Sequence, residues 1–174
     1  GDYTASVTGN TLNTSTNVTI LTTISDGTNT YSVISIGNSA FNQSSNLASV
    51  VIPDSVTSMH RGSFQGASNL PSATIGSGLT MFNTDSESNI VMSNTPLSTL
   101  SISSDNNTFF NGSYGEVYKI TSTSAASLVW VPPNITECII PSSVTHKSST
   151  YAVTYIARYA FYYCSQLTSL AIPN

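Results

Sequence analysis

The chain predicts a repeat solenoid, mainly β, with parallel strands stacked coil on coil. Two offsets in the sequence carry that prediction. Ile36, Ala40, Phe41, Leu47, Val50, Ile52 and Val56 recur as Met59, Ser63, Phe64, Leu70, Ala73, Ile75 and Leu79, each pair 23 residues apart. Val18, Ile20, Ile24, Tyr31, Val33, Ile36, Ala40, Phe41, Leu47, Val50 and Ile52 recur as Cys138, Ile140, Val144, Tyr151, Val153, Ile156, Ala160, Phe161, Leu167, Leu170 and Ile172, each pair 120 apart. A third observation fixes the local structure. Val50 and Ile52 alternate with Ser49 and Val51, the period of a half-buried strand. A unit of this size cannot bury its own apolar edge, so each copy must lean on its neighbours.

The elements follow in order as one solenoid over residues 1–174. Residues 1–35 hold a leading strand, equivalent to 138–140, and an outer excursion ending in Tyr31-x-Val33. Residues 36–102 are a first array of coils, with strands at Leu47-x-x-Val50-x-Ile52-Pro53, Leu70-x-x-Ala73-x-Ile75 and Leu97-x-x-Leu100-x-Ile102. Pro53 lacks an N–H and ends its strand. Small Ala40 lets backbones approach in the turn, and Phe41 fills the space between strand and outer wall. Residues 83–96 break the pattern, with Glu87 where Phe is expected. Residues 103–134 are an irregular insertion. Its run YGEVYKITSTSAASLVWVPP reads as two short strands around a polar turn, a hairpin laid against the stack. Residues 135–174 form a second array, with strands after Ile135 and Leu167. Leu47, Leu70, Leu97, Ile135 and Leu167 are therefore expected to open successive strands of one stack.

Composition narrows the function. Four Lys+Arg face eight Asp+Glu among 174 residues, a formal net charge of −4, and only 7% of residues are charged. No basic patch can be assembled, so nucleic acid and anionic membrane are excluded as partners. About a third of the chain is Ser or Thr, which suits strands and turns better than helix. No apolar run is long enough to span a membrane, so no membrane insertion by this segment is expected. Gly1 reads as a cloning remnant, and the stop straight after Ile172-Pro173 reads as a fragment or truncation.

The unit IGNSAFNQSSNLASVVIPDSV, and still more IARYAFYYCSQLTSLAIP with Cys164, resembles the repeat of BspA-like leucine-rich-repeat surface proteins. The segment from Asn106 to Val144 resembles a hairpin-bearing variant of that family. The resemblance covers about residues 17–174. It implies a right-handed leucine-rich-repeat stack with short outer turns or helices. It also implies adhesion or binding at the cell surface, through an extracellular or cell-surface protein partner. Ser55 and Gly78 stand where the more familiar leucine-rich consensus has Asn or Cys, so no asparagine ladder is expected.

Catalysis finds no constellation. His60 and His146 have no Asp, Ser or Cys at triad spacing, and both read as solvated turn residues. No paired carboxylates or nucleophile–base pair suggest hydrolysis. Cys138 and Cys164 match core-facing Val50 and Ser44 and read as small buried hydrophobes. A disulfide between them is the weaker reading, because they differ in their place around the coil. Two Cys without neighbouring His do not make a zinc site. Asp85 with Glu87, and Asp105 with Asn106 and Asn107, lack calcium-loop spacing and read as polar loops. No cofactor is implied. Six sequons, at Asn13, Asn17, Asn42, Asn106, Asn111 and Asn134, matter only in a eukaryotic secretory host.

Two surfaces remain. The strand residues flanking the buried positions are Ser49, Val51, Ser72, Thr74, Thr99, Ser101, Glu137, Ile139, Ser169 and Ala171. Stacked, they form a concave ladder of hydroxyls and methyls with one charge and no aromatic, a weak interface. Tyr155, Tyr159, Tyr162 and Tyr163 align with Ser35, Ser39, Asn42 and Gln43 on the outer turn, beside Arg158. Their equivalents are polar, so these tyrosines are expected to be exposed. Clustered Tyr with Arg is the composition of binding hot spots. The plainer alternative is a capping surface for another coil. A non-enzymatic binding module, secreted or on the cell surface, is the reading these residues favour; a passive spacer displaying another domain is its rival.

Overall fold

A computed structural model describes residues 3–9, 16–82 and 95–173. The expectations for Glu87, the Asp85–Glu87 pair and Asn13 fall outside the described residues. All regular elements among the described residues are strands and turns, without helix. Among the described residues no helix is long and apolar enough to cross a membrane.

The coils are built from two kinds of strand. The inner row comprises β2 (Thr16–Thr19), β5 (Leu47–Ile52), β7 (Ser72–Ile75) and β9 (Thr99–Ile102), all parallel. The register Val50↔Ala73↔Leu100 and Ile52↔Ile75↔Ile102 matches the repeat. The outer row comprises β1 (Thr4–Val7), β4 (Thr30–Ile36), β6 (Ser58–Met59) and β8 (Met81–Phe82), again parallel, with β3 (Thr23–Ser25) antiparallel on β4. Between the rows lie Ile36, Leu47, Met59, Phe64, Leu70, Ile75 and Leu97, each no more than 1% exposed. Phe41 and Phe64 stack with ring centroids 4.9 Å apart.

The second half repeats the first. Strands β14 (Ser143–His146) and β15 (Ser149–Ile156) pair antiparallel as β3 and β4 do. Positive φ angles recur with the same spacings. Ser39, Gly62 and Tyr159 form one series, Gln43, Gly66 and Tyr163 a second, and Gly27 matches Lys147. The chain therefore needs left-handed backbone at fixed turn positions, and in two coils a glycine supplies it without steric cost.

Residues 103–134 depart from expectation. The insertion is three antiparallel strands, β10 (Phe109–Asn111), β11 (Val117–Ile120) and β12 (Ala125–Trp130), and β12 continues parallel onto β15. The expected hairpin is present as β11 and β12, but with β10 it forms a wall inside the stack rather than lying against it. Phe109, Val117 and Val129 face the cluster of the first array, whereas Phe110, Tyr118, Leu128 and Val131 face a second cluster containing Cys138, Ile140 and Ala160. Alternation along a strand presents successive side chains to opposite faces, so one sheet seals two cores.

The expectation that the five strands follow one another along one stack is corrected at the fourth. Strand β13 (Glu137–Ile139) pairs with β16 (Ser169–Ala171) in a separate two-stranded sheet, not with β9. Asn111 explains the break. Its side-chain amide accepts from the Ile102 N–H at 2.7 Å and donates to the Leu100 carbonyl at 2.6 Å, occupying the edge of β9 as a strand would. Each expected leucine or isoleucine precedes its strand by two residues, except Leu47, which opens β5.

Candidate functional site

The outer turn of the last coil gathers the tyrosines. Tyr155 stands on β15, paired with Ser127, while Arg158, Tyr159, Tyr162 and Tyr163 follow in the turn. All five are exposed, with Tyr155 at 60%. The Arg158 guanidinium lies 5.0 Å from the Tyr159 ring centroid. Tyr159 and Tyr162 meet edge to face at 5.5 Å, and Tyr162 and Tyr163 at 4.3 Å. The structure thus brings Arg158, Tyr159, Tyr162 and Tyr163 into one ring cluster and leaves Tyr155 on the neighbouring strand. Tyr159 and Tyr163 have φ of 65° and 66°, a conformation that bulky L residues rarely adopt. Ser39 and Gln43 have similar angles at the equivalent positions, so the backbone here follows the repeat and only the side chains differ. Tyr151, the core-side equivalent of Tyr31, is half-buried and meets Phe110 at 6.2 Å.

Phe161 is only half-buried, whereas its equivalents Phe41 and Phe64 are buried in the core. Leu170 and Ile172 are 44% and 57% exposed, whereas Val50 and Ile52 are 1%. The cause is direct. Val50 and Ile52 have β7 beside them, and no described strand covers the far side of β16.

The concave ladder forms in the expected registers, Ser49↔Ser72↔Thr99, Val51↔Thr74↔Ser101, Glu137↔Ser169 and Ile139↔Ala171. Ser49 and Ser72 are half-buried and the rest exposed. Because β9 and β13 do not pair, the ladder is split. A cleft lies at the split, and Tyr114, from the turn between β10 and β11, lines it with Thr99, Ser101 and Asn111. This face therefore carries an aromatic that reading the strands alone missed. The only hint was its place in a turn flanked by Gly112 and Gly115.

The remaining residues have structural work. His146 is not a solvated turn residue: its ring stacks on Phe110 at 4.6 Å and Nε2 lies 2.8 Å from the Asn106 carbonyl. Asn106 is fully buried. It donates to the Gly76 and Leu79 carbonyls and accepts from the Thr108 and Phe109 N–H groups, so it ties the insertion to the preceding coil. Both cysteines are free; Cys138 is buried and Cys164 half-buried. Burial pushes both thiols up, away from the thiolate that reacts or binds metal. Among the described residues no three His, Cys, Asp or Glu side chains converge on a common point.

The family model described as BspA type leucine rich repeat region matches six copies in the chain, over residues 16–121 and 132–174. No curated protein sequence matches. Among solved structures, a leucine rich cell surface protein from Faecalibacterium prausnitzii is 18% identical, over 97% of this chain and 72% of that one, with a TM-score of 0.39. A leucine-rich repeat protein from Eubacterium ventriosum is 19% identical over 90% of this chain and 47% of its own, with a TM-score of 0.48. The pneumococcal vaccine antigen PcpA is 15% identical over 97% of this chain and 63% of its own, with a TM-score of 0.32.

Proposed function

Since the chain belongs to the BspA-type leucine-rich-repeat family, we propose that it is a non-enzymatic binding module, secreted or held at the cell surface, that engages an extracellular or cell-surface protein. The observation that carries this reading is the contiguous cluster of Arg158, Tyr159, Tyr162 and Tyr163, with Tyr155 beside it. Tyrosine offers large apolar area and a polar tip at low ordering cost. The surrounding surface of hydroxyls and amides is already satisfied by water, so each hydrogen bond gained there adds little.

One observation favours a second reading. The exposure of Phe161, Leu170 and Ile172 beside the tyrosines fits a seat for another coil, and the chain would then be a passive spacer displaying another domain. A surface-binding titration of the purified chain against extracellular-matrix proteins and whole cells separates the two. Saturable binding supports the module. Absence of binding by this chain across all of these surfaces contradicts it and supports the spacer.

A further inference from the structure

We infer that the cleft between the β10–β11 turn and β14 is a binding site for a single basic side chain, the guanidinium or ammonium of a protein partner. The cleft has a volume of about 610 Å³ and is lined by Phe110, Tyr114, Glu116, Ile139, Pro141 and Val144 among others. That size is typical of small-ligand sites. Its walls mix these aromatic and aliphatic side chains with the polar Asn111, Ser113, Ser143 and Thr145. Its single charged lining group is Glu116, only 4% exposed.

The carboxylate is held in place rather than trapped by chance. Oε2 accepts from the Tyr114 N–H at 2.8 Å and Oε1 from the Tyr118 hydroxyl at 3.2 Å. Gly112 makes room for it, since a Cβ there would sit 2.5 Å from Oε1. Two donors leave about half of the lone-pair sites of a carboxylate unfilled. No cation pairs with Glu116 among the described residues. A buried charge without a counter-charge is costly, and a cation entering the cleft would remove that cost. Exposed Tyr114 supplies an aromatic ring for the same cation. Its negative charge already acts on its surroundings: with burial as the larger cause, it pushes the Tyr118 phenol and the Cys138 thiol up. Tyr114, which lines the cleft, is exposed, so the cleft is open to a basic side chain from solvent.

The site shares no lining residue with the tyrosine cluster, so the two proposals fail independently. The test titrates the isotope-labelled chain with N-acetyl-arginine methylamide and N-acetyl-lysine methylamide, with the citrulline analogue as neutral control. Amide resonances of residues 112–116 and 139–145 are expected to shift and saturate in the ~10 mM range, as a lone charged contact of few atoms allows. Citrulline should leave them still, and Glu116→Gln should weaken binding at least ~10-fold. Ile139→Lys, at an exposed position on the cleft, should supply the cation internally and abolish probe binding without endangering the fold. Equal binding by Glu116→Gln, equal binding of citrulline, or no shift at these residues would overturn the proposal.

Discussion

Phe64 is the residue on which the repeat register rests. It is fully buried and stacked on Phe41. Truncation to Ala should cost about 3–5 kcal/mol, measured by denaturant unfolding; a loss under ~1 kcal/mol would show that it is not the core position the register makes it. Phe161→Ala should cost clearly less, because Phe161 is only partly buried. The sequence could place Phe161 at the core position but not reveal its exposure. Its alignment with Phe41 reports a position within the coil, whereas burial depends on what lies on the far side. Tyr159 carries the opposite prediction. Its φ of 65° costs an L residue roughly 1–2 kcal/mol, and Gly62 shows that glycine fits the same turn position. Tyr159→Gly should therefore keep or raise stability, while removing a ring from the cluster. A stability loss above ~1 kcal/mol would mean that the ring packs structurally.

At the scale of elements, the excursion 23–36 is tied by a carboxylate. Asp26 accepts from the Thr28 and Asn29 N–H groups and from the Tyr31 hydroxyl. The Asn29 N–H first, then Tyr31 and Thr28, lower its pKa from 3.8 to about 2. A depressed folded-state pKa contributes stability above the unfolded value and loses it as pH falls through the folded one. Stability should therefore decline between pH 3.8 and about 2, and Asp26→Asn should flatten that part of the profile. An unchanged acid slope in the variant would contradict the assignment. The inserted wall was only partly legible. Alternating apolar residues predicted β11, β12 and the turn between them. That both faces are buried could not be read from one strand's alternation, because Val129 and Leu128 are equally apolar whichever core they face. Asn111 looked like a sequon and a loop residue. Its use as a substitute strand edge depends on β9 lying beside it. Glu116 gave no signal either, since a lone acidic residue in a turn reads as solvated until its neighbours close over it.

Across the whole molecule, the offsets at 23 and 120 residues carried the parallel stack and most of the buried positions. The interruption of the inner row and the division into two clusters were not in the pattern, because both come from the irregular segment. The wall of β10, β11 and β12 contributes side chains to both clusters, so opening either exposes its strands. Unfolding is expected in one cooperative transition, with calorimetric and van't Hoff enthalpies in agreement; two resolved transitions would show the halves to be independent. Zinc, calcium or reductant should leave that transition within a degree or so, since specific tight binding to the native state would raise it by mass action.

Partner contact is expected on the tyrosine cluster and not on the concave ladder. The most direct measurement compares two folded double variants in one partner-binding titration. Tyr159→Ser with Tyr162→Ser should weaken binding at least tenfold, or ~1.4 kcal/mol, while Thr74→Ala with Ser101→Ala should change it far less. Loss of binding in the ladder variant, with binding kept by the tyrosine variant, would contradict the claim and place the contact on the concave face.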